Sequence, residues 1–467
     1  MRLGDGLENL AEFWRDFSKE KTGLAGLALL GIFILFGLFG RLLVPFPDAL
    51  RHWRDISYWE DNPQAAPPAW TNAFRAKKGV ASSILRAPKV TDQKQDDGSS
   101  IRTFAFSYDY EYDAPPRDVI LEFTGSGQVP IKIEAQRPDG LWAELYADQI
   151  DFGGTSAERV SLARNSAEQV IGFVRDQDAA IGASLNEEFV KPVSILFSRI
   201  APGMGVAPTA LKGRYGFSLS AYLADPANKI EKPRFIVSGD VSGALGTDSS
   251  KRDIWTGLVF GIRWALIIGL LTSIVTVMVG MILGVVAAYF GGVLDWLLSR
   301  LFEFIYLLPV LPFLIVVSAI YKPTIWTFIV IICLFFWSGV FKPVYSMALQ
   351  IKEETFVEAS RALGSGRWRI VFRHIMPILL PYGFANMALS IPAIIVYEAS
   401  VSLLGLGDAT IVTWGQILHD AFIQGAVINN IWWWVVPPGL MIALMGMSFA
   451  FLGSALDKIL HPKLKTR

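Results

Sequence analysis

The side chains best suited to chemistry in this 467-residue sequence form a basic stretch between two long apolar runs. Residues 357–377 read VEASRALGSGRWRIVFRHIMP, and their basic side chains are Arg361, Arg367, Arg369, Arg373 and His374. Guanidinium groups are well suited to binding phosphates and carboxylates. The simplest interpretation is a solvated loop whose arginines fix membrane topology and touch lipid phosphates.

The sequence lacks the common catalytic motifs. It contains no G-x-x-x-x-G-K-[ST] phosphate loop, no H-E-x-x-H and no G-x-S-x-G, so we expect the chain neither to hydrolyse ATP nor to catalyse a bond change. Wide spacing of the histidines argues against a histidine metal site; they are His52, His374, His419 and His461. The single cysteine, Cys333, excludes an intrachain disulfide.

Apolar residues recur at helical spacing on both sides of a glycine pair in the basic stretch. They are Phe356, Ala359 and Leu363 before Gly364 and Gly366, and Trp368, Phe372 and Ile375 after them. This pattern predicts helix, turn, helix, because Gly364 can adopt the positive φ that ends a helix and reverses the chain. The product would be a short apolar knuckle rimmed by arginines. Glu358 could alternatively serve only as an i, i+3 partner of Arg361.

Composition and hydropathy place this stretch in a membrane protein. Hydrophobic residues make up 52% of the chain and aromatic residues 13%, and the mean hydropathy is +0.40. Six uncharged apolar runs reach or approach the roughly 20 residues that a helix needs to cross a bilayer. They are 22–40, 264–294, 304–321, 323–341, 375–397 and 421–455. The sequence therefore predicts six transmembrane helices, and its 42 basic and 42 acidic residues argue against a nucleic-acid partner.

Lys and Arg residues are distributed unequally among the segments outside these runs. Fourteen lie in the N-terminal tail, the 295–303 turn, the region of the basic stretch and the C-terminal tail, whereas segments 321–325 and 403–431 contain only Lys322. Because cytoplasmic loops are enriched in basic residues, we expect both termini and the basic stretch to be cytoplasmic. No A-x-A-like cleavage site follows the first run, which predicts a retained anchor helix.

Residues 45–245 have a different pattern, with short alternating segments in place of long apolar runs. Alternation is clearest in 104–112, 119–123, 129–136, 141–146 and 215–221. Gly, Ser and Pro-Asp-Gly turn signals separate these segments, which favours a β-sandwich outside the membrane. We also expect one helix near 155–175, opened by Thr155 and Glu158 in capping-box spacing, and a mobile loop at 89–100.

A carboxylate near the end of the fifth apolar run is the most unusual charge at membrane depth. A charge at a helix centre costs roughly 2.5–3.5 kcal/mol on insertion scales unless it is paired or hydrated. Glu398 comes shortly before a break at Gly405, Leu406 and Gly407, so these residues are candidates for a translocation pathway or its outer gate. An interfacial position with no role in transport is equally consistent with the sequence.

Several motifs occur in one order along the membrane part of the chain. In the basic stretch they are Glu358-Ala359-Ser360, Gly364 and His374-Ile375-Met376-Pro377. In the rest of the membrane part they are GTDSSKRDIWTGLVFGIRWAL (246–266), GVVAAYFGGVLDWLLSRLFEF (284–304), EASVSLLGLG (398–407) and TWG (413–415). The basic stretch resembles the cytoplasmic EAA loop of ABC-importer permeases. The whole set resembles the C-type permease subunit of the dipeptide/oligopeptide/nickel family, well over 246–462 and loosely over the anchor helix.

This resemblance implies an importer-type permease core whose loop docks on a separate ATPase subunit. The coupling-loop residues by this analogy are Phe356, Glu358, Ala359, Ser360, Leu363, Gly364, Trp368, Arg373, His374 and Pro377. The implied partners are a second, B-type permease, two ATPase subunits, an extracytoplasmic substrate-binding protein and the lipid bilayer. ATP would be bound by the partner subunits, with no cofactor on this chain.

The implied organisation is an all-α multi-pass membrane protein of the prokaryotic inner membrane with an inserted β-rich extracytoplasmic domain. Its parts are a cytoplasmic tail (1–21), an anchor helix (22–44), the extracytoplasmic domain (45–245), a permease core (246–456) with the coupling loop at 351–377, and a cytoplasmic tail (457–467). Two departures from the family pattern stand out. Lys251-Arg252-Asp253 replaces a usual Gly-Arg-Asp, and the external domain is far larger than the usual connection.

The function expected from these observations is ATP-driven import of a peptide or similar small solute by alternating access. The external domain would contact the substrate-binding protein or form a structural cap. The alternatives are an exporter permease and a membrane-anchored receptor or scaffold that works through its external domain. A groove-fitting knuckle favours the importer, because a receptor does not need one.

Overall fold

The chain divides into two compact units. The computed structural model describes residues 13–96, 99–153, 156–225, 227–321 and 324–460. The first unit contains the chain up to Trp53 and again from Trp255 onward, and the second unit is Arg54–Ile254. Several residues on which predictions were made lie outside the described residues. They are Arg2, Thr155, Lys322, His461, Lys463, Lys465 and Arg467.

Helices dominate the first unit and are short in the second. In chain order they are α1 (Lys21–Leu43), α2 (Ala49–His52), α3 (Leu162–Asn165), α4 (Ala167–Gln177), α5 (Ala179–Ala183), α6 (Pro192–Leu196), α7 (Ile254–Phe290), α8 (Gly292–Leu307), α9 (Val310–Ile320), α10 (Ile325–Lys352), α11 (Thr355–Ala362), α12 (Arg367–Ile370), α13 (Met376–Leu403), α14 (Trp414–Ile423) and α15 (Trp432–Leu460). A π-helical turn, Val371–Ile375, joins α12 to α13.

Five helical segments of the described chain are long and apolar enough to cross a membrane. They are α1, α7, α10, the continuous segment Arg367–Leu403, and α15. A sixth span exists if α8 and α9 cross together, but these helices meet at an angle of 77°. Pro309 lies at the break, where it lacks the amide hydrogen that a continuous helix would need, and Leu308 is extended with ψ 131°.

Two of the apolar runs therefore do not form single straight helices. The run 304–321 is divided by the break at Leu308 and Pro309. The run 421–455 begins in α14 and continues through turns at 424–430, so that its long helix begins only at Trp432. Positive φ angles at Gly425 (68°) and Asn430 (55°) stop the helix in that segment. Hydropathy alone cannot detect either interruption, because all the residues involved remain uncharged.

Close approach of backbones holds α7 against α10. A Cβ atom added at Gly280 would lie 2.6 Å from the Trp337 carbonyl oxygen, and one at Gly284 would lie 2.9 Å from the Phe341 carbonyl oxygen. Small residues at such spacing allow membrane helices to pack with extensive van der Waals contact. These glycines fix the position of α10, whose last residue, Lys352, donates a hydrogen bond to the Ala288 carbonyl at 3.2 Å.

The unit Arg54–Ile254 contains two antiparallel sheets. Its strands are β1 (Ser83–Leu85), β2 (Lys89–Lys94), β3 (Ser100–Tyr110), β4 (Asp118–Ser126), β5 (Gln128–Gln136), β6 (Trp142–Asp151), β7 (Ser156–Ser161), β8 (Gly213–Leu223) and β9 (Lys229–Ser238). The four-stranded sheet has the order β1-β9-β4-β7, and the five-stranded sheet has the order β2-β3-β8-β5-β6. All five segments predicted from alternation correspond to strands, although β3 ends at Tyr110, two residues before the end of the predicted alternation.

The predicted loop at 89–100 and the predicted start of the helix near 155–175 both need correction. Residues 89–94 form the edge strand β2, which pairs with β3 from Lys89 opposite Ala105 to Lys94 opposite Ser100. Every side chain of β2 is exposed, so the strand has no hydrophobic alternation to reveal it. In place of the start of a helix near 155–175, residues 156–161 form β7, in which Glu158 lies opposite Phe123. Helical structure begins only at α3 and α4.

Aromatic side chains from both sheets form one hydrophobic core. Phe235 of β9 is fully buried, and its ring centroid lies 4.6 Å from that of Phe217 in β8 and 5.6 Å from that of Phe106 in β3. Offset and tilted rings at these separations are favourable beyond the burial of apolar area. Phe235 therefore joins the four-stranded sheet to the five-stranded sheet.

The segment that replaces Gly-Arg-Asp adopts a glycine-like conformation. Lys251 has φ +65°, a left-handed value that non-glycine residues seldom adopt, and its Nζ donates to the Glu60 carbonyl at 3.1 Å. The next residue, Arg252, forms a buried ion pair with Asp248 at 2.5 Å. The side chain of Lys251 thus fastens a backbone turn that glycine would adopt without strain.

The shared aromatic core leads to a prediction for residues 54–254 expressed alone. Phe235→Ala should lower the free energy of unfolding by about 3–5 kcal/mol, since it removes a large buried ring and leaves a cavity. Val90→Ala on the exposed strand β2 should change it by less than about 0.5 kcal/mol. Urea unfolding followed by circular dichroism, whose native spectrum should be β-dominated, measures both. Equal effects of the two changes would show that no core joins the sheets through Phe235.

Candidate functional site

The coupling loop, residues 351–377, reverses direction at a glycine-terminated helix. Gly364 follows α11 with φ +80°, and its N–H donates to the Arg361 carbonyl at 3.0 Å while the Ser365 N–H donates to the Ser360 carbonyl at 3.1 Å. This pair of hydrogen bonds is the Schellman motif. A Cβ added at Gly364 would meet nothing within 4 Å. The backbone conformation, and not crowding, therefore favours glycine there.

One face of the loop is buried against the first unit, which contains the long apolar helices and is here called the membrane unit. Val357, Ile370, Val371 and Ile375 are all fully buried, and they share a hydrophobic cluster with residues of α7 and α10. Ile375 was expected to lie on the knuckle's apolar stripe, but it belongs to this buried face. The sequence interpretation missed Val357, Ile370 and Val371, although the adjacent aliphatic pair Ile370-Val371 was a visible signal.

The opposite face presents large apolar side chains that nothing in the described chain covers. Leu363 is 86% exposed, Trp368 55%, Phe372 49% and Phe356 39%. Trp368 lies beside Phe290 at the end of α7, with 4.9 Å between ring centroids, and stacks on Phe372 at 5.9 Å. An exposed apolar patch of this kind, rimmed by charges, is typical of a protein interaction site.

Five charged residues between 358 and 373 have no partners within the described part of the chain. Neither an ion pair nor a side-chain hydrogen bond is formed by Glu358, Arg361, Arg367, Arg369 or Arg373. The local pair of Glu358 with Arg361, considered as an alternative, is therefore absent. Ala359 is exposed, His374 is half-buried, and Pro377 lies exposed in the first turn of α13, while the Ser360 hydroxyl donates to the Phe356 carbonyl at 2.8 Å. The rim charges are thus available to another molecule.

Glu398 lies far from the loop, near the other end of α13. The 21 positions from Pro377 to Glu398 correspond to about 32 Å of helix. Its side chain is buried, accepts a hydrogen bond from the Ser402 hydroxyl at 2.8 Å and also interacts with the Thr413 hydroxyl. The structure therefore does not bring the two groups of predicted residues together, but it places them at the two ends of one helical segment.

The break after Glu398 is a second glycine turn. Gly405 has φ +81°, and the Gly405 and Leu406 amides donate to the Ser402 and Val401 carbonyls at 2.9 and 3.1 Å, so that α13 ends in a Schellman motif as α11 does. A Cβ at Gly407 would lie 2.1 Å from the Ser402 hydroxyl oxygen and 2.6 Å from the Gln416 amide nitrogen. No side chain fits at Gly407 unless its neighbours move.

Polar side chains that sequence reasoning missed complete this region. Asp408 accepts a hydrogen bond from the Ile325 N–H at 3.0 Å, which caps the start of α10. Thr413 caps α14 by accepting from the Gln416 N–H at 3.2 Å. A threonine just before an apolar helical pattern is a recognisable N-cap signal that could have identified Thr413. Asp408 caps a helix 83 residues away in the chain, so no local signal indicated its role.

A narrow cleft, here called the Glu398 cleft, opens beside these residues. Its empty space, including the part open to solvent, is about 400 Å³. The lining comes from α9, α10, α13 and the glycine turn, and includes Ser318, Thr327, Phe328, Glu398, Leu406 and Asp408. Gly407 also lines it, whereas Gly405 instead lies against His419. In the described residues no cluster of three His, Cys, Asp or Glu side chains could hold a metal ion.

Comparison with known proteins identifies the chain's relatives. Residues 277–466 match the family described as binding-protein-dependent transport system inner membrane component, and residues 9–68 match the N-terminal TM domain of oligopeptide transport permease C. The dipeptide transport system permease of Bacillus subtilis is 33% identical over 47% of this chain and 69% of its own length. The oligopeptide transport system permease of Haemophilus influenzae is 31% identical over 47% and 70%.

A third relative has a different named solute. The glutathione transport system permease of Pectobacterium atrosepticum is 30% identical over 48% of this chain and 73% of its own length. The coupling-loop motifs and the membrane helices agree with these matches. The chain therefore belongs to the binding-protein-dependent transport system inner membrane components, within the dipeptide and oligopeptide group of ABC-importer permeases that its motifs predict.

Proposed function

We propose that this chain is one permease subunit of an ATP-driven importer and forms half of a pathway for peptides or similar small solutes. The observation that carries the proposal is the coupling loop, which is fixed on one face by four buried aliphatic side chains and uncovered on the other. The named solutes of the relatives support peptides as the substrate class.

The proposed partners are inferred from the missing phosphate-loop motif and from the exposed apolar face of the coupling loop. An ATPase subunit would dock on the surface formed by Phe356, Leu363 and Trp368, where apolar side chains supply burial and the surrounding arginines supply charge. Because the sequence has no phosphate loop, ATP would be bound only by those subunits. A B-type permease would complete the pathway, and an external binding protein would deliver the solute.

In the proposed mechanism, α13 transmits movement between the ATPases and the Glu398 cleft. The segment Arg367–Leu403 is continuous, so a displacement of the docked loop is carried along the helix to Glu398 and the glycine turn. That turn is bonded to the start of α10 through Asp408. Movement of α13 relative to α10 would therefore open or close the cleft, which is the requirement of alternating access.

The proposed topology places both termini and the coupling loop in the cytoplasm and residues 45–245 outside the inner membrane. The unequal distribution of Lys and Arg supports this orientation. We count six spans, with α8 and α9 as one broken span, and assign the two sheets with their common core to a β-sandwich. The external domain would contact the binding protein. An exporter permease and a membrane-anchored receptor are both less consistent with the loop and with the relatives.

The first functional prediction concerns Gly364. In the reconstituted complex, Gly364→Val should abolish solute-stimulated ATP hydrolysis and reduce the amount of copurifying ATPase, since a β-branched residue at φ +80° costs on the order of 1–2 kcal/mol and displaces both arms of the loop. Gly364→Asn is the matched control, because asparagine tolerates this conformation and the site is open. If the valine variant retains parental coupling, the loop is only a solvated connector.

A second prediction tests the proposed gate. Gly407→Ala should displace the Ser402 hydroxyl from Glu398 and destabilise the region by about 1–3 kcal/mol, because a buried carboxyl group loses a hydrogen bond. Solute transport should fall while the ATPase still copurifies. Gly439→Ala in α15, where an added Cβ meets nothing within 4 Å, is the control. Parental transport in both variants would contradict a role for the turn in gating.

A third prediction tests the orientation. With Cys333 replaced by Ser, a cysteine introduced at the exposed Thr410 should react with an impermeant maleimide in cells stripped of their outer layers. A cysteine at Ser365 in the coupling loop should react only after the membrane is permeabilised, because the positive-inside distribution places it in the cytoplasm. Reversed labelling would overturn the proposed topology.

A further inference from the structure

A second cleft in the membrane unit lies between α1, α7 and residues 410–412, and it shares no lining residue with the Glu398 cleft or the coupling loop. Its empty space, including the part open to solvent, is about 1110 Å³. Mostly apolar residues line it, among them Phe36, Leu38, Val259, Phe260, Trp264 and Ile411. We call it the α1–α7 cleft.

Two arginines share this apolar cleft. Arg41 is already paired, with its guanidinium 2.6 Å from the Asp48 carboxylate. Arg263 forms neither an ion pair nor a hydrogen bond with any residue that the structure describes. An unpaired guanidinium beside Phe260 and Trp264, in a helix that crosses a membrane, requires an anionic partner or water.

The position of Arg263 along α7 corresponds to the region between hydrocarbon and headgroups. The 37 residues of α7 span about 55 Å, more than the ~40–45 Å of a whole bilayer. Arg263 lies nine residues after Ile254, or about 14 Å from that end of the helix. An arginine at such a depth can extend its charged group toward the headgroups while its stem covers apolar surface.

The packing of α1 against α7 supports the same depth of Arg263 in the bilayer by a separate observation. A Cβ at Gly40 would lie 2.6 Å from the Val259 side chain, so the last turn of α1 is level with Val259, one helical turn nearer the helix end than Arg263. The 23 residues of α1 span about 34 Å, close to the ~30 Å hydrocarbon thickness. Leu38 and Leu42 near its end are 72% and 82% exposed, as expected for side chains that contact lipid.

We propose that the α1–α7 cleft binds a phospholipid, with Arg263 holding the headgroup phosphate and the apolar wall holding an acyl chain. The guanidinium group matches the geometry of a phosphate and can donate two hydrogen bonds to it. Bound in this way, the lipid fills the space between α1 and α7 and supports the packing of the anchor helix on the rest of the membrane unit.

A lipid suits the cleft better than a transported solute does. The lining is predominantly aliphatic and aromatic, which suits an acyl chain, and its one unpaired charge is a cation at headgroup depth. Residues of the Glu398 cleft, in contrast, include several hydroxyl and carboxyl groups. Charge complementarity and position in the bilayer thus both indicate a phosphate-bearing lipid.

The test measures lipid retained by the full transporter complex purified in mild detergent. Mass spectrometry of extracted lipid should detect a phospholipid in the parent, about tenfold less in Arg263→Gln through loss of a charged hydrogen-bond pair, and an intermediate amount in Arg263→Lys. Leu38→Trp, which fills the cleft while keeping Arg263, should also reduce retention. Arg300→Gln, at an arginine paired with Glu303, is the matched control and should retain the parental amount.

Adding lipid back to the delipidated complex shows whether the cleft requires both a phosphate group and acyl chains. Phosphatidylglycerol should raise the melting temperature of delipidated parent complex but not of Arg263→Gln, whereas diacylglycerol or inorganic phosphate should raise neither. Unchanged lipid content in both Arg263→Gln and Leu38→Trp overturns the proposal. So does lipid loss that occurs only together with loss of the second permease, because Arg263 would then be a subunit contact. Since no transport is measured, the outcome is independent of the proposed import function.

Discussion

Burial of one aliphatic face of the coupling loop against α7 and α10 is the interaction on which the site depends. Val357, Ile370, Val371 and Ile375 are wholly removed from solvent, and each such side chain contributes about 1.5–3 kcal/mol. A loop held only by its ends would have to be ordered when a partner binds, at a cost in conformational entropy. Because this loop is already fixed, its exposed aromatic and aliphatic side chains and its unpaired arginines are held in place for a partner.

The mechanical role proposed for the loop rests on its second arm, which continues into α13. The π-helical turn Val371–Ile375 joins the two without interrupting the span. Glycine turns at Gly364 and Gly405 limit the segment at both ends with the same hydrogen-bond pattern. Reversals of this kind are tight, so little movement is absorbed in flexible connections. In the proposed mechanism, a shift imposed at the loop therefore reaches Glu398 or bends the helix at Pro381 or Pro392.

Local patterns in the sequence were sufficient where local physics determines the structure. Gly364 was predicted because only a glycine readily takes its φ, and β3, β4, β5, β6 and β8 were predicted because burial imposes alternation. The core strand β9 was missed because its buried positions do not alternate regularly. Strand β2 was missed because an exposed edge strand needs no apolar residues. Phe356 and Val357 are adjacent and both apolar, so helical periodicity cannot tell which of them is buried. That choice depends on where α7 and α10 lie, and Glu398 likewise could not be connected to Thr413 before the fold was known.

The size of the unit Arg54–Ile254 presents a packing problem that its own ends solve. Thr247 accepts the Ala66 N–H through its hydroxyl at 3.0 Å and donates to the Pro63 carbonyl at 2.6 Å, while the Ala65 N–H donates to the Asp248 carbonyl at 2.9 Å. The first and last segments of the unit are therefore bonded to each other. A domain whose ends are adjacent can be inserted into a short connection between two helices, because it requires no separation of those helices. This arrangement allows the connection between α1 and α7 to carry two β-sheets.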